Sequence, residues 1–230
     1  MRDNLDKLLN VTNLANGEAA LYFYGEIVHS WWGAWDAMDQ YPEKILNFLA
    51  GAAGKNLNLH INSPGGNTFA AMAIVNMLRH HTGKKTCYID GIAASSASVI
   101  ALCCDRVIMP RNTLLMIHRA RMSASGTVDD MSLSADILKK ADEGMLSVYE
   151  GALVSGISID EIRDLMHKET WFTAEEAARY FRVEVADAIA EPVAMAITEL
   201  PRSAPEAVKK IAALALERER LKLLKLRREG

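Results

Sequence analysis

A chain of 230 residues, half of them hydrophobic, is long enough for one sizeable α/β domain or two small ones. Its 26 basic and 29 acidic residues leave a formal net charge of −3, which gives no electrostatic case for nucleic-acid binding. The three cysteines, Cys87, Cys103 and Cys104, read as reduced core thiols rather than a disulfide framework, and no Cys/His spacing suits a metal.

The charged opening Met1-Arg2-Asp3-Asn4-Leu5-Asp6 is unlike a signal peptide, and no apolar run is long enough to cross a bilayer. A soluble cytoplasmic protein without a membrane partner is the expectation. Residues 1–17 read as a short polar lead with a helical turn. Ala19 to Ile27 is an aromatic-rich strand. His29 to Trp35 is a loop whose Trp31, Trp32 and Trp35 are assigned to core or interface packing rather than ligand stacking. Asp36 to Ala50 carries Met38, Ile45, Leu46 and Leu49 at helical spacing, with Pro42 as a break near the middle.

Asn56 to Asn62 alternates polar and apolar residues as a strand does, and Ser63 to Asn67 ends it with turn chemistry. Thr68 to His81 reads as a helix stopped by Gly83. A strand over 84–90 and a helix over Ala97 to Cys104 follow, then strands over Arg106 to Met109 and Leu114 to His118. The recurring order of strand, turn and helix argues for an α/β fold of parallel strands with crossover helices. Asp129 to Leu153 is a long helix. Ile159 to His167 and Ala174 to Tyr180 are shorter ones, the second opened by a Thr173/Glu176 capping box. Val183 to Ile189 is a closing strand. Composition shifts at Glu191-Pro192, and Glu206 to Glu229 reads as an exposed helix with a basic end at Lys222, Lys225, Arg227 and Arg228. The expected organisation is an N-terminal segment (1–18), an α/β domain (19–190) and a charged helical extension (191–230).

The chemistry concentrates around Gly91-Ile92-Ala93-Ala94-Ser95-Ser96-Ala97-Ser98, where a strand turns sharply into a helix. A serine there sits beside free backbone N–H groups at the positive end of a helix. Gly65-Gly66, after another strand, leaves amides bare enough to face a developing negative charge. His118, at a strand end, is the histidine placed to act as a general base; His29, His60, His80, His81 and His167 lack that placement. Glu169 is the candidate to orient the imidazole, with Asp105, Asp136 and Asp164 left open. The hydrolase elbow G-x-S-x-G is absent, which speaks against that fold.

Ile61-Asn62-Ser63-Pro64-Gly65-Gly66, Gly91-Ile92-Ala93-Ala94-Ser95, Met116-Ile117-His118 and Trp171-Phe172-Thr173-Ala174-Glu175-Glu176-Ala177, in this order, resemble the proteolytic subunit family of the Clp protease. More narrowly they resemble the Clp-related proteases of bacteriophage and prophage heads. The resemblance runs from about Ala19 to Ile189. It implies a crotonase-like spiral of ββα units, with the long helix as a handle between two rings. It also implies Ser95 as nucleophile, His118 as general base and Glu169 in the acidic position, where the Clp subunits usually carry Asp. The oxyanion hole would use the backbone N–H groups of Gly66 and Ser96. No cofactor is implied. The implied partners are a polypeptide substrate and further copies of the chain, in a heptameric ring that stacks into a tetradecamer.

Two features depart from the family pattern. Phe181 follows Tyr180 where the family usually has Gly, and residues 1–17 do not match the segment that lines the axial pore, so docking to an unfoldase ATPase is not supported. The expected function is a serine endopeptidase working through an acyl-enzyme. Two other readings of the fold are a non-catalytic shell or scaffold protein and a crotonase-like acyl-CoA enzyme. The presence of Ser95 with His118 argues against both.

Overall fold

Strand β4 (Lys85–Ala94) is the spine of the molecule. In the computed structural model, which describes residues 12–13, 17–34 and 38–187, it is flanked by β3 (Leu57–Ser63) and β5 (Arg106–Pro110), both parallel to it. The sheet continues through β2 (Ala19–Phe23), parallel to β3, to the short antiparallel β1 (Thr12–Asn13). On the other side β8 (Val183–Ala186) runs parallel to β5. The far end of β4 has a separate partner, β6 (Leu114–Ile117), which in turn carries the antiparallel β7 (Thr170–Phe172). The chain is therefore a mixed α/β protein, its described residues forming an eight-stranded sheet.

The strands alternate as a sheet with one fully covered face should. Leu57, Leu59 and Ile61 of β3 and Cys87 and Ile89 of β4 are completely buried, while Tyr22, His60 and Tyr88 between them are half-buried and stack ring on ring across three strands. The covered face packs against a helical layer. It contains α1 (Pro42–Gly51), α2 (Thr68–His80), α3 (Ser96–Leu102), α4 (Val128–Glu150), α5 (Ile159–His167) and α6 (Ala174–Tyr180). All seven residues of α3 are buried, so the helix that follows Ser95 is locked in the centre of the core. Each aliphatic side chain buried there contributes about 1.5–3 kcal/mol relative to exposure. Helix α4 is different. Its buried residues begin at Ala141, whereas Val128, Met131 and Leu133 in its first half are exposed. No helix among the described residues is long and apolar enough to cross a membrane.

Several expectations are corrected. Pro42 does not break a helix; it starts one, because at the first helical position its missing N–H would have no partner in any case. Thr12 and Asn13 form an edge strand rather than a helical turn, held by pairing with Ala19 and Ala20. Strand β4 runs four residues beyond 90, because Ile92, Ala93 and Ala94 pair with β6. Of the core or interface packing expected for Trp31 and Trp32, the core half does not hold: they are 56% and 73% exposed and stack on each other at 3.9 Å. They lie in a short 3₁₀ turn with no buried residue. Strand β7 falls in none of the expected elements; its three residues are held by pairing with β6. Trp35, residues 1–11 and the proposed extension 191–230 lie outside the described residues.

Candidate active site

The site is assembled by strand register. Ala94, the last residue of β4, pairs with Met116 of β6, and the Ser95 N–H donates to the Met116 carbonyl at 2.9 Å. Two residues past Met116 the chain reaches His118. The antiparallel pairing of Ile117 with Thr170 places Glu169, one residue before β7, beside His118. Three residues separated by 23 and 51 positions in sequence thus meet through two strand pairings.

Ser95 Oγ lies 2.6 Å from His118 Nε2, a hydrogen-bond contact. Ser95 is the N-cap of α3 with φ 55° and ψ −128°, a conformation that costs a non-glycine residue about 1–3 kcal/mol. Its side chain makes no capping bond, so the hydroxyl is left for the imidazole. The turn is held from below: Ser98 Oγ donates to the Ser95 carbonyl at 2.6 Å and contacts the buried Tyr149 hydroxyl at 2.8 Å.

The glycine pair packs against this turn. A Cβ on Gly65 would lie 2.8 Å from Ser95 Cβ and 3.0 Å from the Ser96 nitrogen, and φ at Gly65 and Gly66 is +95° and +145°. Only glycine fits this approach and these angles. Gly66 also sits against Ile27, where a Cβ would come within 2.1 Å of the carbonyl oxygen. The Ser63 hydroxyl braces the turn by accepting from the Gly65 N–H at 3.1 Å and donating to the Gly25 carbonyl at 2.6 Å. Ser96, first residue of α3, is fully buried.

Burial pulls the His118 pKa down to about 4, helped by the positive charge of Arg121 and opposed by the negative charge of Asp142. The imidazole is therefore neutral at pH 7, as a proton acceptor must be. Its other nitrogen, Nδ1, lies 3.7 Å from Glu169 Oε2, beyond hydrogen-bond distance, and is buried without a partner among the described residues. Glu169 Oε2 instead accepts from Arg121 Nη2, and Glu169 Oε1 is buried and unpartnered among the described residues. Glu169 itself has φ 50°, again a strained backbone.

The other open carboxylates are elsewhere. Asp105 accepts from the Lys85 N–H at the start of β4, a strand of ten residues and roughly 30 Å from its Ser95 end. Asp136 is exposed and paired with Lys139, and Asp164 is exposed on α5. His60 pairs with Asp90 at 2.9 Å, while His81 contacts the Lys55 carbonyl.

Two residues near the site carried no weight in the sequence reading. Asp142 accepts from Arg119 Nε at 2.6 Å and from the Ala120 N–H at 2.8 Å, fixing the chain just past His118. Its signal was available: a buried acid at helical spacing among Leu138, Met145, Leu146 and Tyr149. Arg121, exposed and 48 residues from Glu169, gave none.

A strained serine at a strand-to-helix turn, a neutral histidine in contact with it and a glycine turn packed against it define the class: a mixed α/β protein whose candidate site has the groups that acyl transfer requires. Comparison with known families narrows it. A family model described as Clp protease matches residues 34–190. The chain is 30% identical over 131 residues to the ATP-dependent Clp protease proteolytic subunit 1 of Protochlamydia amoebophila, covering 55% of this chain and 63% of that subunit. It is 28% identical over 134 residues to the proteolytic subunit of Bacteroides fragilis, covering 57% and 63%. With proteolytic subunit 4 of Rhodococcus jostii it shares 32% over 144 residues, covering 60% and 71%. The chain thus spans 63% of the length of the first two relatives. It belongs to the Clp protease family.

Proposed function

We propose that this chain is a serine endopeptidase that cleaves polypeptides through an acyl-enzyme. The contact that carries this reading is Ser95 Oγ to His118 Nε2 at 2.6 Å. In the proposed reaction His118 Nε2 takes the hydroxyl proton as Ser95 Oγ attacks the scissile carbonyl. The carbonyl oxygen becomes an oxyanion held by the N–H groups of Gly66 and Ser96. His118 then gives its proton to the leaving amine, and the C–N bond breaks to leave the acyl-Ser95 ester. Water, deprotonated by the same imidazole, attacks that ester and frees the acid and Ser95. Glu169 is the proposed third member, stabilising the imidazolium as it forms.

Family membership and the half-exposed α4 support a homo-oligomer. We take its form to be a heptameric ring, stacked into a tetradecamer, with the first half of α4 as the handle between rings. Val128, Met131 and Leu133 are apolar side chains which that contact would cover. The resemblance of the four motifs to phage and prophage head proteases makes head maturation the setting we propose.

The deciding experiment treats the protein with a serine-reactive phosphonate or β-lactone and locates the adduct by mass spectrometry. An adduct on Ser95 is expected. A protein that takes up no adduct and cleaves no peptide would instead be a shell or scaffold component.

A further inference from the structure

Glu169 stands between a guanidinium and a neutral imidazole and serves only the first. Its Oε2 is held by Arg121 Nη2, while His118 Nδ1, 3.7 Å from that same oxygen, is buried with no partner among the described residues. Glu169 Oε1 is likewise buried with no partner among those residues. An unpaired donor and an unpaired acceptor therefore sit on neighbouring side chains, although pairing them would satisfy both. The backbone of Glu169 is fixed at φ 50° by the turn into β7, so the adjustment has to come from the side chain, and Arg121 pulls it the other way. The Glu169 and His118 side chains are 11% and 12% exposed; the Arg121 side chain is 62% exposed and reaches in from the segment after β6.

We propose that Arg121 is a latch on the site, a positioning residue that takes the carboxylate oxygen His118 Nδ1–H would otherwise use and so sets the resting activity low. This rests on the reading of Ser95 and His118 as the working pair.

The charges around the imidazole make Arg121 the one to test. Arg119 is already committed to Asp142 at 2.6 Å, and Asp142 also takes the Ala120 N–H, so that pair cannot exchange partners with Glu169 cheaply. The Ser95 hydroxyl occupies Nε2. Arg121 acts twice. Its charge disfavours the imidazolium that proton transfer creates, and its guanidinium withdraws the carboxylate that would stabilise it. A glutamate, one methylene longer than the usual aspartate, has the reach to be shared in this way.

The test compares the full-length protein with Arg121→Gln and Arg121→Lys. Arg121 is exposed on a loop but pairs with the buried Glu169 carboxylate, so urea denaturation of each variant accompanies the kinetics to confirm that it folds. His118 is titrated by NMR through its Cε1 proton, and peptide hydrolysis is followed from pH 4 to 9. For Arg121→Gln the His118 midpoint should rise by one pH unit or more. Its kcat at pH 8 should rise about threefold or more with KM little changed, and its acid limb should move up with the midpoint. Arg121→Lys, which keeps the charge, should stay near the parent. In a Glu169→Gln background the gain in kcat should fall below half. An unmoved midpoint, a lower kcat for Arg121→Gln, or an equal gain without Glu169 would overturn the latch. If the parent protein neither hydrolyses peptide nor labels at Ser95, the peptidase reading fails instead, and the NMR titration still decides whether Arg121 governs His118.

Discussion

The Ser95 N–H donates to the Met116 carbonyl at 2.9 Å, and this one bond ties the turn that carries the hydroxyl to the strand that carries His118. The pairing of Ala94 with Met116 precedes it and fixes how far each strand extends into the site. The 2.6 Å contact between Ser95 Oγ and His118 Nε2 is therefore a property of sheet register rather than of flexible side chains finding each other.

Replacing Ser95 by alanine should lower kcat by at least about 10³-fold, since the residues of such a unit fail together. Assembly, read by analytical ultracentrifugation, should not change. Persistent cleavage in Ser95→Ala with an inactive Ser96→Ala would move the nucleophile one residue on.

Ser95→Gly separates function from stability. The φ of 55° at this position is costly for serine and free for glycine. The glycine variant should be inactive yet gain roughly 1 kcal/mol in urea denaturation, while Ser95→Ala gains nothing.

Glu169→Gln should lower kcat about tenfold or more with little change in KM. The loss should be smaller than removing a fully engaged triad acid, because Oε2 is 3.7 Å from His118 Nδ1 in the resting chain. An unchanged rate would assign the third role to another carboxylate or to none.

The His118 pKa of about 4 makes two pH predictions. Activity needs neutral imidazole, so kcat/KM should hold its plateau down to about pH 5 and fall with a midpoint near 4. Stability moves the same way. The unfolded chain binds the His118 proton below about 6.5, the folded chain only below about 4, so unfolding takes up a proton in that window and stability falls as pH drops through it. The full loss, from a shift of about 2.5 units, is on the order of 3 kcal/mol. Chemical denaturation from pH 8 to 4 should show that share of the decline missing in His118→Gln.

Gly66→Ala tests the glycine turn. Its Cβ would meet the Ile27 carbonyl oxygen at 2.1 Å at a φ of +145°, and no flexible side chain is there to give way. A loss of about 3 kcal/mol or more and an inactive protein are expected. Normal stability and rate would mean that the turn can open without consequence.

Much of the fold is legible in the residues themselves. Alternation in Leu57-Asn58-Leu59-His60-Ile61 marks β3, and the Thr173/Glu176 box opens α6 where expected, with both reciprocal bonds formed. Short elements and long reaches are not legible. Strand β7 has three residues, too few for a period to show, and exists because β6 offers it an edge. Pro42 looks like a breaker until the start of α1 is known. Trp31 and Trp32 read equally as core or interface until the turn that bears them proves to have no buried residue, which removes the core half of that reading.

By itself the sequence determined the candidates: a serine at a strand-to-helix turn, a glycine pair after a strand and a histidine at a strand end. Those are local matters of backbone geometry and side-chain type, written within a few residues of each position. Only the tertiary structure decided who meets whom. Register across β4, β6 and β7 brings Ser95 to His118 and Glu169 alongside, and places Arg121 on the carboxylate. Pairing between strands that lie far apart in sequence depends on the sum of contacts along whole edges, and no single stretch of residues records that sum.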